Sequence, residues 1–300
     1  MQAPHTRPLQ PWTGCGTALI TPFQQQAVDQ KALRHLVRRQ VNAGIHFLVP
    51  LGTTAETPCL EDDEKMHILS VIREEAPRTP LLVGAGSNST AATCRNLKKL
   101  ANSPADGFLL VTPYYNKPTQ QGLWEHFRTL AESTDKDIIL YNVPGRTGVN
   151  LSAETTLRLA ELPNIVGIKE ASGNYSQICE IIRNAPTGFS ILSGNDDEVL
   201  SLMCSGAHGV ISVASNIVPA SMVHLCERLL HQDLEAAREL HLRLLPLFKH
   251  CFVESNPIPV KAALAQLGLI QNELRLPLTP ATENTQTLLK QTLAQLNDLL

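Results

Sequence analysis

The chain has 300 residues, 43% of them hydrophobic and only 18% charged, with a formal net charge of −3. That length admits one large α/β domain or two modest ones, and the apolar fraction suffices for a sizeable core. Basic residues are scattered, as in Arg38-Arg39 and Lys98-Lys99, without a basic stripe, which speaks against nucleic acid or another polyanion as partner.

Along the chain, short apolar runs alternate with amphipathic stretches. A strand is predicted over Thr17–Phe23. A helix follows over Asp29–Ala43, with Leu33, Leu36, Val37 and Val41 on one side and Gly44 as its stop signal. The next strand is His46–Leu51, followed by a helix over Glu61–Glu75 whose first turn carries acids that complement its dipole. Strands Pro80–Ala85, Gly107–Tyr114 and Asp137–Val143 come next, then a helix over Ser152–Leu162 with half a capping box in Ser152 and Thr155. Ile165–Ala171, Phe189–Asn195 and Gly209–Ser215 complete eight candidate strands.

Runs such as Phe108-Leu109-Leu110-Val111 suit parallel strands covered on both faces. Repeated βα units ending near residue 230 predict an α/β fold, a (β/α)₈ TIM barrel over 1–230. Three more helices, Asp233–His250, Pro257–Gly268 and Glu283–Leu300, form a helical extension over 231–300, appended because no Gly/Ser-rich linker precedes them. A doubly wound open sheet is the alternative, since counting strands does not prove closure.

The seven cysteines are odd in number, widely spaced and without a CxxC, the pattern of reduced thiols. Met1–Pro8 lacks the basic-then-apolar order of a secretory signal, and no apolar run approaches membrane-spanning length. A cytoplasmic enzyme is therefore expected, with no membrane partner. The ten histidines show no HExxH or paired spacing that would mark a metal site. Gly84-Ala85-Gly86 begins like a dinucleotide fingerprint but lacks its third glycine.

Four segments carry the chemistry. Lys169 ends an apolar strand, where burial disfavours the ammonium and can lower its pKa by up to ~3–5 units, leaving the neutral amine that attack on a ketone needs. The bland alternative is a strand-end lysine paired with Glu170. Gly52-Thr53-Thr54-Ala55-Glu56 follows the second strand; small residues and adjacent hydroxyls make a seat for a carboxylate, or simply a turn. Thr112-Pro113-Tyr114-Tyr115-Asn116 follows the fourth, its tyrosines suited to proton transfer or to packing at an interface. Tyr141 through Gly148 follow the fifth and carry Arg146, whose planar fork suits a substrate carboxylate or a surface ion pair. In a closed barrel the C-terminal strand ends face one pocket, so Thr53, Tyr115, Tyr141, Arg146 and Lys169 are expected to converge.

At these residues the sequence resembles the dihydrodipicolinate synthase family, within the pyruvate-aldolase superfamily that includes N-acetylneuraminate lyase. The motifs GTTAE, TPYYNKP, YNVPGRTG, GIKEASG and NPIPVK carry the likeness from about Gly14 to the C-terminus. The resemblance implies a Schiff base between Lys169 and pyruvate, and a proton relay of Tyr141, Thr53 and Tyr115, the last reaching in from a neighbouring subunit. It implies Thr54 on the pyruvate carboxylate, Arg146 on the carboxylate of L-aspartate-4-semialdehyde, and Gly194 and Ile211 as backbone positions lining the pocket. It further implies a homotetramer built as a dimer of dimers, and no metal or organic cofactor.

Two departures stand out. Ala55 occupies a place where glycine is commoner in the family, harmless unless that residue needs a positive φ. Where lysine-inhibited members hold the ammonium of lysine, this chain has Ala92 instead of an acid, and Asp62 and Lys65 instead of histidines, although Asn88 and Tyr114 agree. Weak or absent inhibition by lysine follows. The rival readings are a related aldolase acting on another aldehyde, a non-catalytic keto-acid binder, and a metal-dependent aldolase on the same fold.

Overall fold

The apolar runs become eight parallel strands in one sheet: β1 (Gly14–Ala18), β2 (Phe47–Val49), β3 (Leu82–Gly84), β4 (Gly107–Val111), β5 (Asp137–Asn142), β6 (Ile165–Glu170), β7 (Ser190–Ser193) and β8 (Gly209–Ser212). The computed structural model describes residues 12–300; the N-terminal reading over Met1–Pro8 lies outside them. The sheet runs in the order β2-β1-β8-β7-β6-β5-β4-β3. A parallel bridge between Leu48 and Leu81 joins its two ends. There the Leu48 N–H donates to the Pro80 carbonyl at 2.9 Å and the Gly84 N–H to the Pro50 carbonyl at 3.0 Å. The circuit is a barrel, and the open-sheet alternative falls.

The strands are shorter than predicted, and the first is displaced. β1 begins at Gly14, before the β-branched run, because close packing there selects glycine: a Cβ on Gly16 would lie 2.0 Å from the Phe47 ring. Phe47 in turn meets Trp12 edge to face at 5.5 Å. Most of Thr17–Phe23 instead climbs out of the barrel into a small hairpin, Phe23–Gln24 with Ala27–Val28, turned by Gln25 and Gln26 at positive φ.

Helices α1 (Gln30–Asn42), α2 (Asp62–Glu75), α3 (Thr90–Lys99), α4 (Gln120–Ala131), the single turn α5 (Pro144–Thr147), α6 (Ala153–Leu159), α7 (Tyr175–Asn184), α8 (Val199–Cys204) and α9 (Pro219–Leu230) fill the connections. Local chemistry sets their ends. Asp29 caps α1 by accepting the Ala32 N–H at 2.9 Å, Glu61 and Glu64 form a full capping box on α2, and Ser152 caps α6. Leu33, Leu36 and Val37 of α1 are buried as the periodicity required.

The last three helices, α10 (Leu234–His250), α11 (Ile258–Gln266) and α12 (Glu283–Gln295), close the chain. In α11 every residue from Ile258 to Leu264 is buried, so it has no wet face and is wedged between other elements. It packs against α12 and the turn Ala214–Asn216 beyond β8. That contact puts it beside the C-terminal ends of the strands, which the sequence left unassigned. All seven cysteines are unpaired, and no helix among the described residues is long and apolar enough to cross a membrane.

Candidate active site

Along β6, side chains alternate between the barrel interior and the helical layer. Glu170 faces outward, where its carboxylate accepts from Asn142 Nδ2 at 3.1 and 3.2 Å, the Ser172 N–H at 2.9 Å and Gln177 Nε2 of α7 at 3.1 Å. Burial raises its pKa, opposed by those hydrogen bonds. Lys169 therefore points the other way, inward, and the expected alternative of a Lys169–Glu170 pair is excluded. Lys169 is 7% exposed, pairs in register with Tyr141 on β5, and places Nζ 4.4 Å from the centre of the Tyr141 ring. No carboxylate among the described residues lies within ion-pair distance of it.

Gly194 follows β7 against this lysine. A Cβ there would lie 3.1 Å from Lys169 Cε and 2.5 Å from Ala171 Cβ, so only glycine lets the backbone approach. Together with Thr53, Thr54, Tyr141 and Arg146, these residues line a chamber of about 60 Å³. The chamber adjoins a groove of about 830 Å³ through shared walls at Gly52, Thr53, Tyr141, Arg146 and Asn256. Ile211 is fully buried on β8 opposite Gly16, and on that side the chamber wall is Val213. Asp196 fixes this edge: its Oδ2 accepts the N–H groups of Val213 and Ala214 at 3.1 and 2.9 Å. Burial raises the pKa of Asp196 despite these bonds and the nearby charge of Lys169.

Thr53, Thr54 and Ala55 form one 3₁₀ turn after β2. Its bends fall at Leu51 and Glu56, with φ of 56° and 55°, and not at Ala55, so the extra methyl carries no backbone strain. Gly84 makes room for the bend, since a Cβ there would meet the Leu51 carbonyl oxygen at 1.9 Å. The turn is anchored from afar. Glu56 accepts from Lys261 Nζ at 2.6 Å and from the Arg275 N–H at 3.0 Å, and Asn256 Nδ2 donates to Thr54 Oγ1 at 2.8 Å. Burial lowers the pKa of Lys261, and Glu56 partly restores it. The sequence reading missed Glu56, Asn256 and Asp196 as parts of the site. The NPIPVK motif was visible, but a contact spanning 202 positions has no local signal.

Arg146 rides on α5, which Pro144 starts. Its Nη2 donates to the Asn256 carbonyl at 3.3 Å, and no carboxylate among the described residues pairs with it. The surface ion pair is absent, and donors remain for a ligand. Tyr115 does not join the others. It is 88% exposed, held at φ 76°, a strained value for a bulky residue, while Tyr114 lines the groove. No hydrogen bond links the hydroxyls of Thr53, Tyr141 and Tyr115 among the described residues. The expected convergence thus holds for Thr53, Tyr141, Arg146 and Lys169 within one chain. At the groove's outer wall, Asp62 is bridged to both Lys65, at 3.3 Å, and Lys99.

Fold and site together define a (β/α)₈ lyase whose buried strand-end lysine shares a small chamber with tyrosine and threonine hydroxyls. Residues 11–296 match the sequence pattern of the dihydrodipicolinate synthetase family, and the chain belongs to that family. It is 50% identical over 282 residues to the 4-hydroxy-tetrahydrodipicolinate synthase of Thermotoga neapolitana, covering 92% of this chain and 96% of that protein. The crystal structure of dihydrodipicolinate synthase from Thermotoga maritima matches with a TM-score of 0.94 at 47% identity, over 96% of this chain and 99% of that one. A dihydrodipicolinate synthase variant characterised as the first monomeric one matches with a TM-score of 0.95, also at 47% identity, over 97% and 98% of the two chains.

Proposed function

We propose that this enzyme condenses pyruvate with L-aspartate-4-semialdehyde to give 4-hydroxy-tetrahydrodipicolinate, the first committed step of diaminopimelate and lysine biosynthesis, in the cytoplasm. The observation that carries the reading is the inward Lys169 amine, with no carboxylate partner among the described residues, in one chamber with Tyr141, Thr53 and Arg146. Lys169 attacks C2 of pyruvate and water leaves, forming an iminium. That iminium is an electron sink, so a methyl proton departs and an enamine forms. Tyr141 and Thr53 receive the proton, and Tyr115 of a neighbouring subunit completes the path to solvent.

Thr54 holds the pyruvate carboxylate, and the free guanidinium donors of Arg146 hold the carboxylate of the aldehyde substrate. The enamine carbon attacks the aldehyde. The amine of the second substrate then closes on the imine carbon and releases Lys169. Gly194 keeps the backbone clear of the lysine, and Ile211 backs the chamber from β8. The barrel over 1–230 carries this chemistry, and the extension over 231–300 braces it through Asn256 and Lys261.

A homotetramer, a dimer of dimers, fits an exposed and strained Tyr115 that needs a neighbouring chain to reach a site. Borohydride reduction in the presence of pyruvate tests the core claim: intact mass should show one reduced pyruvate adduct, absent in Lys169→Ala. An unmodified protein would refute it.

A further inference from the structure

The chamber wall holds a buried polar side chain that the chemistry above does not use. Asn256 is 5% exposed and lines both chamber and groove. Its Nδ2 donates to Thr54 Oγ1 at 2.8 Å, its backbone carbonyl accepts from Arg146 Nη2 at 3.3 Å, and its Oδ1 is buried with no hydrogen-bond partner among the described residues.

A threonine hydroxyl has one proton and two lone pairs. The Asn256 amide occupies a lone pair of Thr54 Oγ1, and no acceptor for the Thr54 proton is found among the described residues. That proton is left for a ligand. Thr54 is thereby set as a donor, the polarity a carboxylate requires. The same asparagine ties Arg146 to the chamber through its backbone, so one residue touches both proposed carboxylate holders.

We infer that Asn256 is a positioning residue that orients the Thr54 hydroxyl as a donor toward the carboxylate of pyruvate. The inference rests on the function proposed above. Asn256→Asp tests it because shape is kept while a donor becomes an acceptor. The Thr54 proton then turns to the new carboxylate, and oxygen lone pairs face the substrate's negative charge.

Steady-state assays should show the KM for pyruvate raised about tenfold or more in Asn256→Asp, with kcat changed by less than about threefold. Half-saturation of borohydride trapping by pyruvate should move in parallel. Asn256→Ala should show a smaller rise in the same direction, and it carries the test if the aspartate variant fails to fold. In a Thr54→Val background Asn256→Ala, which adds no charge to the chamber, should raise the pyruvate KM no further, since the hydroxyl it acts through is gone. An unchanged pyruvate KM in Asn256→Asp would overturn the inference, as would equal effects of Asn256→Ala in both backgrounds, the mark of a purely structural role. Absence of a trapped adduct in the unsubstituted enzyme would sink the proposed function instead.

Discussion

Replacing Lys261 with methionine probes how the turn bearing Thr53 and Thr54 is held. The side chains of Lys261 and Glu56 are both 0% exposed, and their charged atoms stand 2.6 Å apart. The other Glu56 oxygen takes the Arg275 N–H at 3.0 Å. Methionine roughly preserves volume, so packing changes little. What changes is that a buried carboxylate loses its counter-charge, at a cost of about 3–5 kcal/mol. For a chain of this size 1 kcal/mol corresponds to roughly 2 °C, so Tm should fall by roughly 6–10 °C. The Lys261 ammonium also sits 4.3 Å from the Phe23 ring centre, a smaller contribution lost at the same time.

The turn loosens with its anchor, so kcat/KM should fall as well. The double variant Glu56→Gln/Lys261→Met removes the charge together with its partner and should recover at least half of the lost Tm. Scanning calorimetry and a steady-state assay on the purified proteins read both effects. A single variant melting within about 2 °C of the parent, or a double variant no more stable than the single, would refute the reasoning.

Arg146→Ala should raise the KM for aspartate semialdehyde roughly 10- to 100-fold while the KM for pyruvate moves little, because only the aldehyde substrate's carboxylate needs the guanidinium; equal shifts in steady-state assays would favour an aldolase for another aldehyde. Lysine at millimolar concentration should leave most activity intact, since Ala92 offers no carboxylate and Asp62 is taken by Lys65 and Lys99; half-maximal inhibition below 1 mM would contradict this. His126 is 4% exposed, its Nε2 has no hydrogen-bond partner among the described residues, and burial lowers its pKa from 6.5 to about 4. Between those values the unfolded chain binds the extra proton, so stability is lost as pH falls, by roughly 2 kcal/mol at pH 5. Denaturation midpoints at pH 7 and pH 5 should therefore differ less in His126→Gln than in the parent, and an equal loss in both would remove His126 as the cause.

Much of this was legible in the amino-acid order. Continuous apolar strands such as Ile138-Ile139-Leu140 predict parallel pairing under helices, and the caps at Asp29 and Ser152 mark helix starts within a residue, because both signals are local. Strand order then puts Lys169, Tyr141, Thr53, Arg146 and Tyr115 at one end of the barrel before any coordinate is known, although Tyr115 stays outside the chamber of its own chain. Tertiary structure decided the rest. Whether Lys169 pairs with Glu170 depends on which face each occupies, and Gln177 and Asn142 claim the glutamate from the other side. The first strand slipped toward Gly14 because the Phe47 ring needs the space above Gly16. The Thr53–Ala55 turn is held by Asn256, Lys261 and Arg275, residues that periodicity treats as an appendix. Sequence patterns report neighbours within a turn or a strand, whereas a buried charge or hydroxyl finds its partner wherever the folded chain has excluded water.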